Sequence, residues 1–388
     1  MQRISERGII TNSATTTNPC LLGDEGNHHD AADRPRKGPA SGGLIDGIFL
    51  AAALAALLLW AGTPVFRTME VTFVAIVLEA LPFMMVGSIA GGLIEVFISN
   101  ERLSRIFPKG RKGVLLAAGL GLLFPVCECA VIPLIRRLLT KGVPPGAAVA
   151  FLLAGPIVNP IVFLSTGIAY SFHWSFAFLR LGLGYLKSVS VGLIIGAVFG
   201  SDPRRIMLYG DAARSCPDAS CSCHLDHAHV EPFGDGLFSR RAGRMWEALS
   251  HGAGDFLDTG RFLVIGAFVA ALINAALPRH VLAGLAGAPI LCIGAAMVLA
   301  MGLNLCSDAD AFVASSMRPF LPYPAQMAFM LLGPMLDIKL LFMYRSLFRK
   351  RFIVFMAVVI PACVMLTALG HHALLKVALR VLAGGAHG

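Results

Sequence analysis

From residue 44 to residue 368 the chain is a succession of apolar runs, and their lengths fall into two classes. Leu44–Gly62, Val71–Phe97, His173–Gly200, Asp258–Leu277 and Phe352–Ala368 approach or exceed the roughly 20 residues that a helix needs to cross about 30 Å of hydrocarbon. Gly113–Phe124, Ala130–Leu139, Pro289–Leu303 and Ala311–Arg318 are too short to cross alone. Two further runs, Pro144–Tyr170 and Ala325–Tyr344, are long but carry Gly-Pro or Asn-Pro breaks. Such a chain is confined to an all-α polytopic membrane protein.

Composition closes the alternatives. Apolar side chains make up 56% of the 388 residues and charged ones 14%, against about 25% charged in soluble domains. This excludes a soluble enzyme, a disordered scaffold and a nucleic-acid-binding domain, so no nucleic-acid partner is expected. The net charge of +9 is carried by Lys and Arg between the apolar runs, where they act as orientation signals. The nine cysteines follow no secreted-framework spacing and read as free thiols or metal ligands.

Residues 1–43 are polar and are expected to be a disordered cytoplasmic tail. Residues 44–200 form a first spanning helix and a first repeat. Residues 201–244 are a polar loop, and residues 245–388 hold a second repeat, with Leu374–Leu382 as a short interfacial helix. The repeat is internal. FLLAGP at 151–156 matches FMLLGP at 329–334, Cys127 matches Cys306, and Glu79 to Gly87 matches Asp258 to Gly266. The offsets are 329 − 151 = 178, 306 − 127 = 179 and 258 − 79 = 179.

Basic residues set the orientation. They cluster in the tail and at 102–112, 136–141, 204–244 and 345–351. If each half-length pair is a re-entrant hairpin, every cluster falls on the cytoplasmic side. The halves are then inverted, with about 7–9 membrane spans in all, the arrangement of many carriers. The alternative is one long kinked helix in place of each hairpin. The N-terminus is expected in the cytoplasm.

The chemistry gathers at the breaks. Pro125, Val126, Cys127, Glu128 and Cys129 sit at the first tip, where an ionisable group inside a membrane marks function. Two thiols beside a carboxylate make a soft site for Zn, Cu(I) or trivalent arsenicals. The packing alternative pairs Glu128 with Arg136 or Arg137. The second tip carries Cys306, Asp308 and Asp310, which would join the first in one mixed sulfur and oxygen substrate site if the tips meet; the two aspartates could also cap the following half-helix. Pro156, Pro160 and Pro334, with Gly155 and Gly333, free backbone carbonyls. Asn159 and Asp337 follow the two breaks at matched positions, where unwound backbone plus a polar side chain makes a carrier's substrate-binding site, and Lys339 is placed to neutralise Asp337. Glu79 and Asp258 match as well, as a relay or as ion-paired groups, with Arg261 a candidate partner of Asp258. Cys216, Cys221, Cys223, His224, His227 and His229 form a cytoplasmic C-x4-C-x-C-H-x2-H-x-H stretch. It is read as a metal-acquiring or sensing loop, the one place where a bound metal ion is expected.

The run FPVCECAVIP at 124–133, GVPP at 142–145 and AFLLAGPIVNP at 150–160 resembles the predicted permease family that includes the ArsP-type organoarsenical exporters. DADAFV at 308–313 and GPMLDIK at 333–339 are similar to that family's second signature. The resemblance implies a multi-pass permease of the bacterial inner membrane and implicates Cys127 and Cys129 in contacting trivalent arsenic. The family motif usually reads Cys-Ser-Cys-Gly where this chain has Cys-Glu-Cys-Ala, and the added carboxylate moves the expected cargo towards a metal cation. Some relatives resemble one subunit of a two-subunit permease, so a second membrane subunit stays open beside the lipid bilayer, as does a homo-oligomer.

The reading is a non-enzymatic permease exporting a thiophilic metal or metalloid species, without an ATP-binding P-loop motif. The rival classes are a membrane thiol oxidoreductase using Cys127 and Cys129, and a metal sensor signalling through residues 216–229.

Overall fold

The structure, a computed structural model, describes residues 63–123, 126–208, 237–276, 289–319 and 321–384, with Gly47, Ala51 and Ala55 as further helical positions. Pro125, the metal-loop residues Cys216 to His229, and most of the tail and the 44–62 run lie outside the described residues. The helices that carry the site belong to one unit, which extends from Ala56 onward.

Among the described residues the chain is helical throughout, with one isolated antiparallel bridge between Met207 and Phe348. Helix α1 (Pro64–Phe97) starts where Thr63 Oγ1 accepts the Phe66 N–H and Pro64 takes the first turn, the position where a missing N–H costs nothing. At its far end the Lys141 ammonium donates to the carbonyls of Glu95 and Ile98 at 2.7 and 2.6 Å, a cation on the negative end of a helix. A short α2 (Asn100–Ile106) leads to α3 (Arg111–Leu120) and α4 (Glu128–Thr140). At 1.5 Å per residue these last two rise only about 15–20 Å, as their sequence lengths predict. The first broken run becomes α5 (Pro145–Ala154) and α6 (Pro160–Ala169), and α7 (Trp174–Phe199) is uninterrupted.

The second half repeats the order. Helices α8 (Leu237–Ala276), α9 (Pro289–Leu303), α10 (Asp310–Ser316), α11 (Tyr323–Leu332), α12 (Ile338–Tyr344) and α13 (Lys350–Gly384) follow one another as long, four short, long, the order of the first half without its short α2. The packing repeats too. Helix α3 lies on α5 as α9 lies on α11, α5 on α7 as α11 on α13, and α6 meets α10 as α12 meets α4. Not every pairing repeats: α1 packs on α4, whereas α8 packs on α12.

Two boundaries differ from expectation. Helix α8 begins at Leu237, inside the stretch read as polar loop, because a helix can continue beyond an apolar span once water solvates its flank. The final helix runs unbroken to Gly384, so Leu374–Leu382 is not a separate interfacial element.

Phe66–Phe97, Trp174–Phe199, Gly243–Ala275 and Lys350–Gly370 are each long and apolar enough to cross a bilayer. Their outward faces keep Val71, Leu78, Leu257, Val358 and Leu366 exposed, a surface that only lipid solvates cheaply. The interior is built on α4, α5 and α11. Every residue of α5 is buried, as befits a helix apolar on all sides.

Helices α1 and α8 form the most extensive contact. They approach through Ser88, Gly92, Ala248 and Gly252, and a Cβ on Gly92 would collide with the Ala248 carbonyl oxygen. Small residues permit this approach. Gly92→Ala is therefore expected to lower stability by about 1–3 kcal/mol, read as a fall in Tm in detergent. Gly254→Ala is its control, since a Cβ there meets nothing; helix propensity then acts alone and Tm holds or rises. Equal Tm values for wild type and Gly92→Ala would refute the crossing.

Candidate functional site

The two tips meet. Cys127 closes the loop before α4 at its N-cap position, and Glu128 and Cys129 occupy the first turn. Cys306 lies in the loop 304–309 between α9 and α10. Cys127, Glu128, Cys129, Cys306, Lys339 and Glu79 all line one pocket, closed on the α1 side by Ile76, Ala80 and Phe83. Its free volume is about 10 Å³, room for roughly one water. Cys127 is half-buried and Cys129 and Cys306 are buried, all three as free thiols.

The charge at the first tip is answered from the far half. Glu128 pairs with neither Arg136 nor Arg137; its Oε1 accepts a hydrogen bond from Lys339 Nζ at 3.2 Å. The two arginines belong to the C-terminal part of α4, away from the tip, and turn to α8. Arg137 Nε binds the Asp255 carboxylate, and Arg136 Nη1 lies 3.3 Å from both Asp255 and Asp258. Asp258 therefore takes Arg136 as partner and not Arg261, whose guanidinium stacks on the Phe262 ring. Lys339 Nζ also lies 3.8 Å from Asp337 Oδ2. Glu128, Asp337 and Lys339 expose only 2%, 1% and 4% of their surface. Glu128 Oε2 and Asp337 Oδ2 have no hydrogen-bond partner.

Local backbone chemistry positions this group. Asp337 is the N-cap of α12, its Oδ1 accepting the Leu340 N–H. Asn159 does the same for α6, accepting from Val162 N–H at 2.9 Å while its amide donates to the Gly155 carbonyl. Asn159 thus secures the break and does not line the thiol pocket. Gly155, Pro156, Gly333 and Pro334 are buried in their respective turns, and Pro160 starts α6. A Cβ on Gly155 would press on Val126 at 3.1 Å, so the first break receives the first tip. Asn304 adopts a left-handed backbone (φ +50), which asparagine tolerates. Its Oδ1 accepts the Lys339 N–H at 3.0 Å, joining the second tip to the lysine's backbone.

Asp308 and Asp310 part company. Neither caps α10, whose N-cap is Ala309 and which has no side-chain cap. Asp308 is part-buried with Oδ1 unpartnered, and it does not line the thiol pocket. Asp310 pairs with Arg180, at 2.8 and 2.9 Å to its two oxygens. Arg180 is 1% exposed. It also donates to Thr166 Oγ1 (2.8 Å) and to the carbonyls of Ser307 (3.0 Å) and Met330 (3.3 Å). In the sequence Arg180 stands only as a residue within a span, yet an arginine in an apolar helix is itself a signal.

Chemically the pocket offers soft sulfur beside Glu128, whose carboxylate shares the Lys339 ammonium with Asp337 just outside the lining. Among the described residues no three of His, Cys, Asp and Glu converge as a metal centre. The thiols share a pocket without forming a closed metal cage.

Three comparisons bear on this arrangement. A family model described as a predicted permease, ArsP_1, matches residues 65–373. UPF0718 protein YcgR of Bacillus subtilis is 37% identical over 289 residues, covering 74% of this chain and 91% of that one. A Streptococcus mutans protein named as a subunit of a two-component membrane permease complex is 34% identical over 283 residues, 72% of this chain and 87% of its own. No solved structure gives a significant match.

Proposed function

This chain belongs to the predicted permease family that its residues 65–373 match, and on that premise we propose that it exports a thiophilic metal or metalloid species, organoarsenicals included, through the pocket between its two tips. The coarser statement needs no proposal: it is a membrane-embedded permease and not an enzyme, so the thiol oxidoreductase reading falls away. One observation carries the finer reading. Cys127 and Cys129 of the first half and Cys306 of the second line one pocket. Soft sulfur ligands select thiophilic cargo.

In this reading the halves are inverted repeats, and α3–α4 and α9–α10 are re-entrant hairpins whose tips meet near the bilayer midplane. The repeated packing of α3 on α5 and α9 on α11 supports it, and under it every basic cluster would fall on the cytoplasmic side. The membrane is the bacterial inner membrane, with the N-terminus in the cytoplasm. Residues 216–229 would acquire the metal there, Asp337 would face the cargo beside Lys339, and Asn159, Asp308 and Asp310 would hold the moving parts around the site. A second membrane subunit is proposed from the Streptococcus mutans relative, which is named as part of such a pair.

The test is elemental. Cells expressing wild type or the Cys127→Ser/Cys129→Ser double variant are challenged with Zn, Cu, Cd, arsenite and methylarsenite, and their content is measured by inductively coupled plasma mass spectrometry. One element is expected to fall in wild-type cells only. The thiol variant should lose at least the roughly 100-fold in affinity that even an outer partner of a metal ligand can be worth. Equal content of every element in both strains, with equal membrane insertion, would return the cysteines to core packing.

A further inference from the structure

Glu128 and Lys339 of the thiol pocket's lining, with Asp337 beside them, form a second chemistry that the sulfur atoms do not explain. Glu128 and Asp337 present two carboxylates to one ammonium, and all three groups are at least nine-tenths buried. Lys339 Nζ contacts Glu128 Oε1 at 3.2 Å and Asp337 Oδ2 at 3.8 Å. One oxygen of each carboxylate has no hydrogen-bond partner. The cluster is therefore under-compensated by one positive charge, in surroundings where uncompensated charge is costly. A cation site with these ligands would put its ion where the ammonium now stands, and the free volume of about 10 Å³ leaves no room for a larger occupant beside it.

We propose that Lys339 is a tethered counter-ion, its ammonium holding the cargo's place between Glu128 and Asp337 in the empty carrier, and that the cargo is accordingly a cation. This rests on the permease reading above and narrows it, since a neutral organoarsenical would not displace an ammonium. A carrier that must reorient empty cannot bring two bare carboxylates through hydrocarbon. Lys339 neutralises the empty site as the cargo neutralises the loaded one. The side chain suits the part. Its backbone is pinned by Asn304, while a flexible four-carbon stem carries a compact charge with a single hydrogen bond from Nζ. Arg180, by contrast, is fastened by a carboxylate, a hydroxyl and two carbonyls, and its planar head has nowhere to swing.

The experiment separates net movement from exchange. The full chain is reconstituted in proteoliposomes loaded with cadmium. Release is followed into cadmium-free medium (net flux) and into medium holding equal cadmium (exchange). Exchange never requires the empty carrier to reorient. Lys339→Gln should lose net flux by on the order of 100-fold, the penalty for carrying an unpaired buried carboxylate, while exchange persists near the wild-type rate. Persisting exchange also shows that the variant is folded. Net flux at the wild-type rate would overturn the inference, and so would equal loss of both fluxes. A second variant, Asp337→Asn, keeps the helix cap and removes one negative charge. Its half-saturating cadmium concentration should rise about tenfold, because an opposite charge at this distance is worth at least that much, with both fluxes falling together. An unchanged half-saturation would overturn the inference. A wild type that moves methylarsenite but not cadmium would also overturn it and leave the permease reading standing. Movement of neither probe would take down both.

Discussion

Replacing Arg180 with methionine is expected to cost about 3–5 kcal/mol of stability, the price of stranding one member of a buried ion pair. The guanidinium is 1% exposed and bonds Asp310, Thr166, Ser307 and Met330. These lie on α10, on α6, in the second tip and on α11, so one side chain fastens four parts of the molecule. Methionine fills much of the volume but leaves Asp310 with no cation. Unfolding titrations in mixed micelles would read the loss. The double variant Arg180→Met/Asp310→Leu should recover most of it, because removing both charges of a buried pair is often nearly neutral. If the single variant is as stable as wild type, Arg180 holds nothing together.

The second large effect is at the opposite corner. Asp255→Ala should likewise destabilise by about 3–5 kcal/mol. Asp255 is 3% exposed and answers Arg136 and Arg137 of α4 together. Its neighbour Asp258 also meets Arg136, but its carboxylate is 56% exposed. Asp258→Ala should therefore cost no more than about 1 kcal/mol, as solvent-screened pairs do. The two substitutions lie one helical turn apart and face one arginine in common, so burial and the second arginine at Asp255 separate their effects. Comparable Tm values for the two variants in detergent would show that reasoning to be wrong.

The elements of this fold are legible in the sequence because membrane helices announce themselves by run length. The breaks at Gly155 and Gly333 are legible because Gly-Pro cannot continue a helix. The constant offset between halves foretells the repeated element order. Legibility ends at the partners. Proximity along the chain suggests Arg136 and Arg137 for Glu128, eight or nine positions along one helix. A helix of that length points its two ends at different neighbours, however, and the ammonium arrives from 211 residues away. Asp310 and Arg180 are 130 residues apart, and no local pattern encodes such a pairing. The capping roles of Asn159 and Asp337 are within reach of the sequence. Each stands immediately before its short helix, and Pro160 occupies the first helical turn of the first, the usual companion of an N-cap. Their matched positions after the two breaks point to cargo instead, and that symmetry masks the simpler role.

The pairing of Glu128 with Lys339 has a consequence measured in time. The glutamate leaves the ribosome 211 residues before the lysine. At the usual 5–20 residues per second the delay is roughly 10–40 s. Arg180 must wait in the same way for Asp310, though for a shorter stretch of chain. During that interval the first tip has no counter-ion of its own half to shelter it, so water or the insertion machinery must keep it company. Biogenesis of this site therefore waits on the second half: Glu128 and Arg180 settle only once Lys339 and Asp310 have been made.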